Sequence, residues 1–187
     1  MRKIASILAV LIVLSVSGLA SGIAPMIVVS VPDQRLAVVE NGVCIAKYPV
    51  STSKFGVGDR PRSFATPLGM LQIAAKVGNN APVGAVFHGQ RRTGEILRPN
   101  SPGRDPIVTR ILHLRGLEAQ NVRAYGRGIY IHGTAEERRI GRPASYGCIR
   151  MKSRDVVRLF DSVPVGARVE IVNEHLSRAL PAVVASL

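Results

Sequence analysis

The sequence predicts a mainly β fold, a β-sandwich or open barrel, with one short helix placed directly after Cys148. Three observations carry that expectation. Charged residues make up only 20% of the chain, while Gly numbers 18 and Pro 12, a turn-rich composition unlike that of a helical bundle. Short β-branched runs recur between turn residues along the chain, the pattern of an all-β sandwich or barrel. Helical spacing of apolar residues is clear in one place only, residues 154–162. A length of 187 residues allows one domain once a targeting segment is set aside.

Taken in order, residues 26–31 form a β-branched run that predicts a first strand. Residues 34–40 and 43–50 flank Asn41-Gly42, and two strand-like runs around Asn-Gly are a strong hairpin signal. Residues 51–67 are rich in Ser, Gly, Pro and basic side chains and read as a loop. A further strand is expected over 68–76. Residues 78–106 are long, polar and turn-rich, and read as a loop that is functional or inserted. Residues 107–114 and 128–132 look like buried strands, the second leading into His132. Ser153 is expected to cap a helix over 154–162, whose Val156, Val157 and Phe160 share one face and whose end is followed by Pro164. Residues 167–172 predict a last strand, and 174–187 form a weakly patterned tail. The domain is therefore expected over 26–173.

The N-terminus has the pattern of a secretory signal peptide over residues 1–22. Arg2 and Lys3 precede an apolar run at 4–16, and Gly18-Leu19-Ala20 or Ala20-Ser21-Gly22 supplies small residues for cleavage. The alternative is an uncleaved membrane anchor, since apolar residues continue to Ala24. Either way the domain is expected outside the cytoplasm, in the periplasm or cell envelope. The formal net charge of +13 suits an anionic partner, although it equally describes a solvated surface. Aromatic content is 4% with no Trp, and no aromatic cluster lies on a strand face. Nucleic acid is therefore not the expected partner.

The chemistry concentrates in residues 130–151. Of the two cysteines, Cys44 lies in an apolar run and reads as a small buried hydrophobe. Cys148 follows Gly147 and precedes Arg150 by two positions, a setting expected to lower a thiol pKa, helped by the positive end of the helix that follows. His132, sixteen residues upstream, ends a strand and is the candidate base. Gly133 could place a carbonyl against its imidazole. Gly147 and Cys148 could offer backbone N–H groups to an oxyanion. Ser145 could bond within the site or stabilise the turn, Arg150 could hold a substrate carboxylate, and Tyr130 is expected in the core or a pocket wall. His88, His113 and His175 have no metal-ligand spacing, and no nucleotide fingerprint is present. Neither a metal nor a cofactor is expected.

His132-Gly133-Thr134, Gly141 and Ser145-Tyr146-Gly147-Cys148-Ile149-Arg150-Met151 together resemble the signature of the L,D-transpeptidase catalytic domain, the YkuD family. Residues 34–52 resemble the family's opening hairpin, and Ala65-Thr66-Pro67-Leu68-Gly69 its Thr-Pro-x-Gly turn. The resemblance covers roughly residues 27–173. It implies the family's own β-sandwich, with peptidoglycan stem peptides as substrate. It also implies Cys148 as nucleophile at the third-position diamino acid, with loss of the terminal D-alanine, and an amine that resolves the thioester into a 3→3 cross-link. His132 would be the base and Gly133 its orienting carbonyl. One departure is Tyr146, where the family often has His. Two alternatives stay open on sequence grounds: water as acceptor, giving an L,D-carboxypeptidase or hydrolase, and a non-catalytic basic wall-binding module.

Overall fold

The computed structural model describes residues 24–185; the predicted signal segment, 1–22, lies outside the described residues. The chain opens with β1 (Met26–Ser30), β2 (Arg35–Glu40) and β3 (Val43–Pro49). The last two are joined at Asn41-Gly42, both with positive φ (49° and 76°), the geometry that lets a two-residue turn follow the strand twist. Every residue of β1 is buried, because both faces are covered. Ile27 and Val29 enter the main core, while Met26 and Val28 pack with Leu176 and Ala179. Those two residues belong to a helix, Leu176–Ala185, in the segment expected to be a weakly patterned tail. Asp33 fixes its start by accepting the Leu176 N–H at 2.7 Å.

The remaining elements are β4 (Gly69–Val77), β5 (Ala85–His88), β6 (Arg91–Ile96), β7 (Ile107–Gly116), β8 (Tyr130–Thr134), β9 (Ile149–Met151), α1 (Ser153–Ser162) and β10 (Arg168–Val172); the C-terminal helix is α2. The hairpin β5–β6 corrects the reading of 78–106 as loop. β6, Arg-Arg-Thr-Gly-Glu-Ile, is exposed along nearly all its length, so no buried alternation betrays it. β9 also escapes the sequence reading, and it separates Cys148 from α1. Ser153 is the first helical residue of α1 and not its cap. Its N–H is held instead by Glu137 Oε1 at 2.8 Å.

Ten strands hydrogen-bond continuously in the order β3-β2-β1-β10-β4-β7-β5-β6, with β8 also on β7 and β9 on β8. The arrangement forks at β7, which pairs β5 at its start, β4 from Ile111 to Gly116, and β8 from Ile107 to His113. Its register with β8 slips between Val108 and Ile111, where Thr109 adopts φ +72°. The sheet thus doubles over, and one core lies between its halves. Ile27, Leu36, Leu71 and Ile171 come from one half, and Leu112, Ile131, Ile149 and Met151 from the other, closed by Val156, Leu159 and Phe160 of α1. This is the mainly β, sandwich-like architecture expected, with a second helix added.

Candidate active site

β9 runs parallel to β8 in the register Ile131–Ile149, His132–Arg150 and Gly133–Met151. Matched positions of a parallel pair project to the same face, and positions two apart share it. Tyr130 and His132 therefore lie on one face of β8, with Arg150 opposite His132, while Cys148 directly precedes β9 and its Sγ meets the backbone at the start of β8. The crossover connection thus brings the segment that begins at Cys148 back alongside the strand that carries His132.

His132 is buried, and its Nδ1 lies 2.8 Å from the Gly133 carbonyl oxygen. A carbonyl only accepts, so Nδ1 carries the proton and Nε2 keeps its lone pair. Burial pushes the imidazole pKa down to about 4, against the opposing pull of the Gly133 hydrogen bond. The ring is a neutral base at pH 7. Gly133 is required by close approach: a Cβ there would lie 2.5 Å from the Val108 carbonyl oxygen and 3.2 Å from Thr109 Cβ.

Cys148 is half-buried, and both cysteines are free thiols. Its Sγ donates to the Gly128 carbonyl and accepts the Tyr130 N–H, each at 3.4 Å. Burial pushes the thiol up to about 11, with the Tyr130 N–H, Arg127 and Arg150 pulling weakly the other way. The expected lowering of this pKa is therefore corrected to a raising. α1 begins beyond β9, so its positive end is not at the sulfur, and the Arg150 charge is spent elsewhere.

Arg150 is buried at 4% exposure. One terminal nitrogen donates to Thr134 Oγ1 at 2.8 Å and pairs with Asp105 at 2.6 Å and Glu136 at 3.2 Å; the other donates to the Ala144 carbonyl at 3.1 Å. Its predicted role as a clamp on a substrate carboxylate is replaced by an internal one, because two of the protein's own carboxylates occupy it. Ser145 builds the turn. Its Oγ donates to the Cys148 carbonyl at 2.6 Å and accepts the Gly147 N–H at 3.2 Å. That bond engages the Gly147 N–H expected in the oxyanion site, and of the predicted pair only the Cys148 N–H is without a protein acceptor among the described residues. Gly147 itself has φ +116°, and Thr66 Oγ1 donates to its carbonyl at 3.0 Å.

Residues 24–171 match the family model described as the L,D-transpeptidase catalytic domain. The chain belongs to the L,D-transpeptidase family. YqjB of Bacillus subtilis, named an L,D-transpeptidase, is 30% identical over 155 residues, covering 82% of this chain and 74% of that protein. ErfK/SrfK of Escherichia coli, also so named, is 49% identical over 49 residues, 26% of this chain and 16% of that one. Among solved structures, an L,D-transpeptidase from Xylanimonas cellulosilytica superposes with a TM-score of 0.51 at 19% identity, over 82% of this chain and 62% of that chain. One from Enterococcus faecium gives 0.52 at 17%, over 80% and 50%. The chain thus spans less than two thirds of either solved protein, and the likeness to them is one of fold.

On this L,D-transpeptidase fold several residues near the site had no signal in the sequence. Gly128 supplies the thiol's acceptor. Asp105, in the connection after β6, reaches Arg150 and also accepts the Thr134 hydroxyl. Arg127 ties its segment to a neighbouring loop, donating to Gly58, Ser63 and Ala65 carbonyls and pairing with Asp59. Tyr130 is half-buried, set edge-on to His113 at 4.7 Å, and its packing against Ala81, Phe87 and Ile111 puts it between core and site wall. Cys44 is half-buried beside α2. No group of three His, Cys, Asp or Glu that could hold a metal occurs among the described residues, and no helix among them is long and apolar enough to cross a membrane.

Proposed function

We infer that the protein is a cysteine acyltransferase that cross-links peptidoglycan stem peptides outside the cytoplasm, with Cys148 as nucleophile and His132 as base. The observation that carries this reading is the His132 Nδ1–H to Gly133 carbonyl bond. It leaves a neutral Nε2 lone pair on β8, two residues beyond Tyr130, whose N–H meets the Cys148 sulfur. At rest the thiol proton is given to the Gly128 carbonyl. Attack therefore begins with Sγ turning from Gly128 toward Nε2. His132 takes the proton as sulfur bonds to the carbonyl carbon of the third stem residue. The oxyanion is met by the Cys148 N–H. Collapse expels the terminal D-alanine, whose nitrogen takes the proton back from His132, and leaves a thioester. The amine of a second stem then attacks, gives its proton through His132 to the departing sulfur, and forms the 3→3 amide. Gly133, Ser145, Gly147 and Arg150 position these groups.

Intact-mass spectrometry after incubation with a tetrapeptide stem tests the reading. An acyl adduct on Cys148, with D-alanine release in wild type and Cys44→Ala but none in Cys148→Ala, is expected. Full release by Cys148→Ala would overturn it. Product analysis with and without an amine acceptor separates cross-linking from hydrolysis.

A further inference from the structure

The aromatic residues of this chain are few, four Phe and four Tyr, yet three of them are exposed together beside the cysteine turn. Phe55, Phe64 and Tyr146 are 53%, 56% and 59% exposed. Their ring centroids lie 5.3–5.7 Å apart, mutually tilted. They come from two loops, which is why no strand-face cluster is legible in the sequence. An exposed apolar cluster of this kind marks a binding surface more often than a structural one.

A cation is held within it. Lys54 Nζ lies 4.4 Å from the Tyr146 ring centroid and 5.2 Å from that of Phe55, and donates to the Tyr146 hydroxyl at 3.0 Å. Its backbone N–H donates to the Ser145 carbonyl at 3.2 Å, so it rides on the same turn that carries Cys148. No carboxylate pairs with Lys54 among the described residues, whereas Asp59 is already committed to Arg127. An adjoining cavity of about 400 Å³ is lined by Arg62, Ser63, Phe64, Arg127, Ile129 and Tyr146. Ile129 and Tyr146 flank it on the two segments that hold the thiol. Lys54 and Arg139 also draw the Tyr146 phenol pKa below its ordinary value.

We propose that Lys54, held over Phe55 and Tyr146 with Phe64 beside them, is a subsite for a free carboxylate of the stem peptide, so that the enzyme distinguishes carboxylate-bearing stems from amidated ones. The aromatic rings take the aliphatic body of the peptide, and the ammonium, already fixed over two of them, takes its charge. A neutral saccharide would use the rings and leave the cation unpaired; the charge favours the acid. The proposal rests on the transpeptidase reading for its substrate.

The test compares a tetrapeptide stem with its α-amide, in turnover by the full chain and in binding to Cys148→Ala. The carboxylate stem is preferred about fivefold, as expected of one largely exposed ion pair, with the difference in KM. Lys54→Met abolishes the preference, Lys54→Arg retains it, and Phe64→Ser weakens both stems. Equal binding of the two stems, or a preference that survives in Lys54→Met, would overturn the subsite. A Lys54-dependent binding preference without any turnover would uphold the subsite and sink the enzymatic reading instead.

Discussion

The titration of Cys148 is the sharpest consequence of the site. Many thiol enzymes rest as a thiolate beside a protonated histidine, and the sequence suggests such a setting. The structure places both groups on the neutral side: the thiol at about 11 and the imidazole at about 4. At pH 7 the thiolate fraction of a group with pKa 11 is about 1 in 10⁴, against about 1 in 100 for an ordinary thiol near 9. A more basic thiolate is also more nucleophilic, by about eightfold for two units at a Brønsted slope of about 0.45. Alkylation of Cys148 by iodoacetamide at pH 7 is thus expected about tenfold slower than that of an unperturbed thiol, in a Cys44→Ala background that isolates the site. The rate should climb with pH toward a midpoint near 11. His132→Gln should leave that midpoint in place, since the neutral imidazole contributes no charge to it. A midpoint at or below 8, rising on removal of His132, would refute the reasoning and establish a preformed ion pair. Slow labelling at neutral pH does not by itself mark a non-catalytic module, so the acyl adduct is the better discriminator.

Three further outcomes follow from the same geometry. His132 has a folded pKa below its unfolded value, so its stabilising contribution is present above about pH 6.5 and is lost as pH falls toward 4. Between pH 7 and 5 this costs about 2 kcal/mol, seen as a lower urea midpoint that His132→Gln makes less steep. Gly133→Ala pushes a Cβ against the Val108 carbonyl and moves the carbonyl that holds the imidazole. D-alanine release should fall about 100-fold while circular dichroism shows the fold retained; wild-type activity would dissociate that carbonyl from catalysis. Arg150→Met leaves Asp105 and Glu136 without their shared cation. It should destabilise the protein by about 3 kcal/mol, measured by chemical denaturation, and an unchanged midpoint would show the network to be dispensable.

What was legible in the sequence is what local chemistry dictates. Asn41-Gly42 announces its hairpin because few residues accept two successive left-handed positions. The helix at α1 announces itself because Val156, Val157 and Phe160 recur at helical spacing, although the structure buries Leu159 in place of Val157. His132, Gly133 and Cys148 stand out because each residue type is chemically constrained. The misses share another cause. β6 is exposed almost throughout and carries no period. β9 is three residues long, too short for any. α2 contains Pro181 and earns its place only by covering Met26 and Val28. Asp105, Asp59 and the Phe55–Phe64–Tyr146 cluster are set by contacts between segments distant in sequence, for which a single chain offers no local signal. Arg150 is the instructive case. Its position beside the cysteine is plain, but its partners are not, and the partners decide its role.

That case bears on how charge acts in this protein. A chain with a net charge of +13 invites the view that any cysteine within it is biased toward the thiolate. Net charge is not local potential. The two guanidiniums that act on Cys148 are those of Arg127 and Arg150, and each is matched by carboxylates, Asp59 for the first and Asp105 with Glu136 for the second. Opposite charges at such short range cancel at the sulfur, and the cost of burying an anion then decides its state. Among the described residues the cations beside the site without a carboxylate partner, Lys54 and Arg62, sit on the exposed aromatic rim and its adjoining cavity and not under the thiol. With those charges cancelled, burial holds the thiol pKa up at about 11 and keeps the sulfur protonated at neutral pH, while the ammonium of Lys54 lies outside that cancellation.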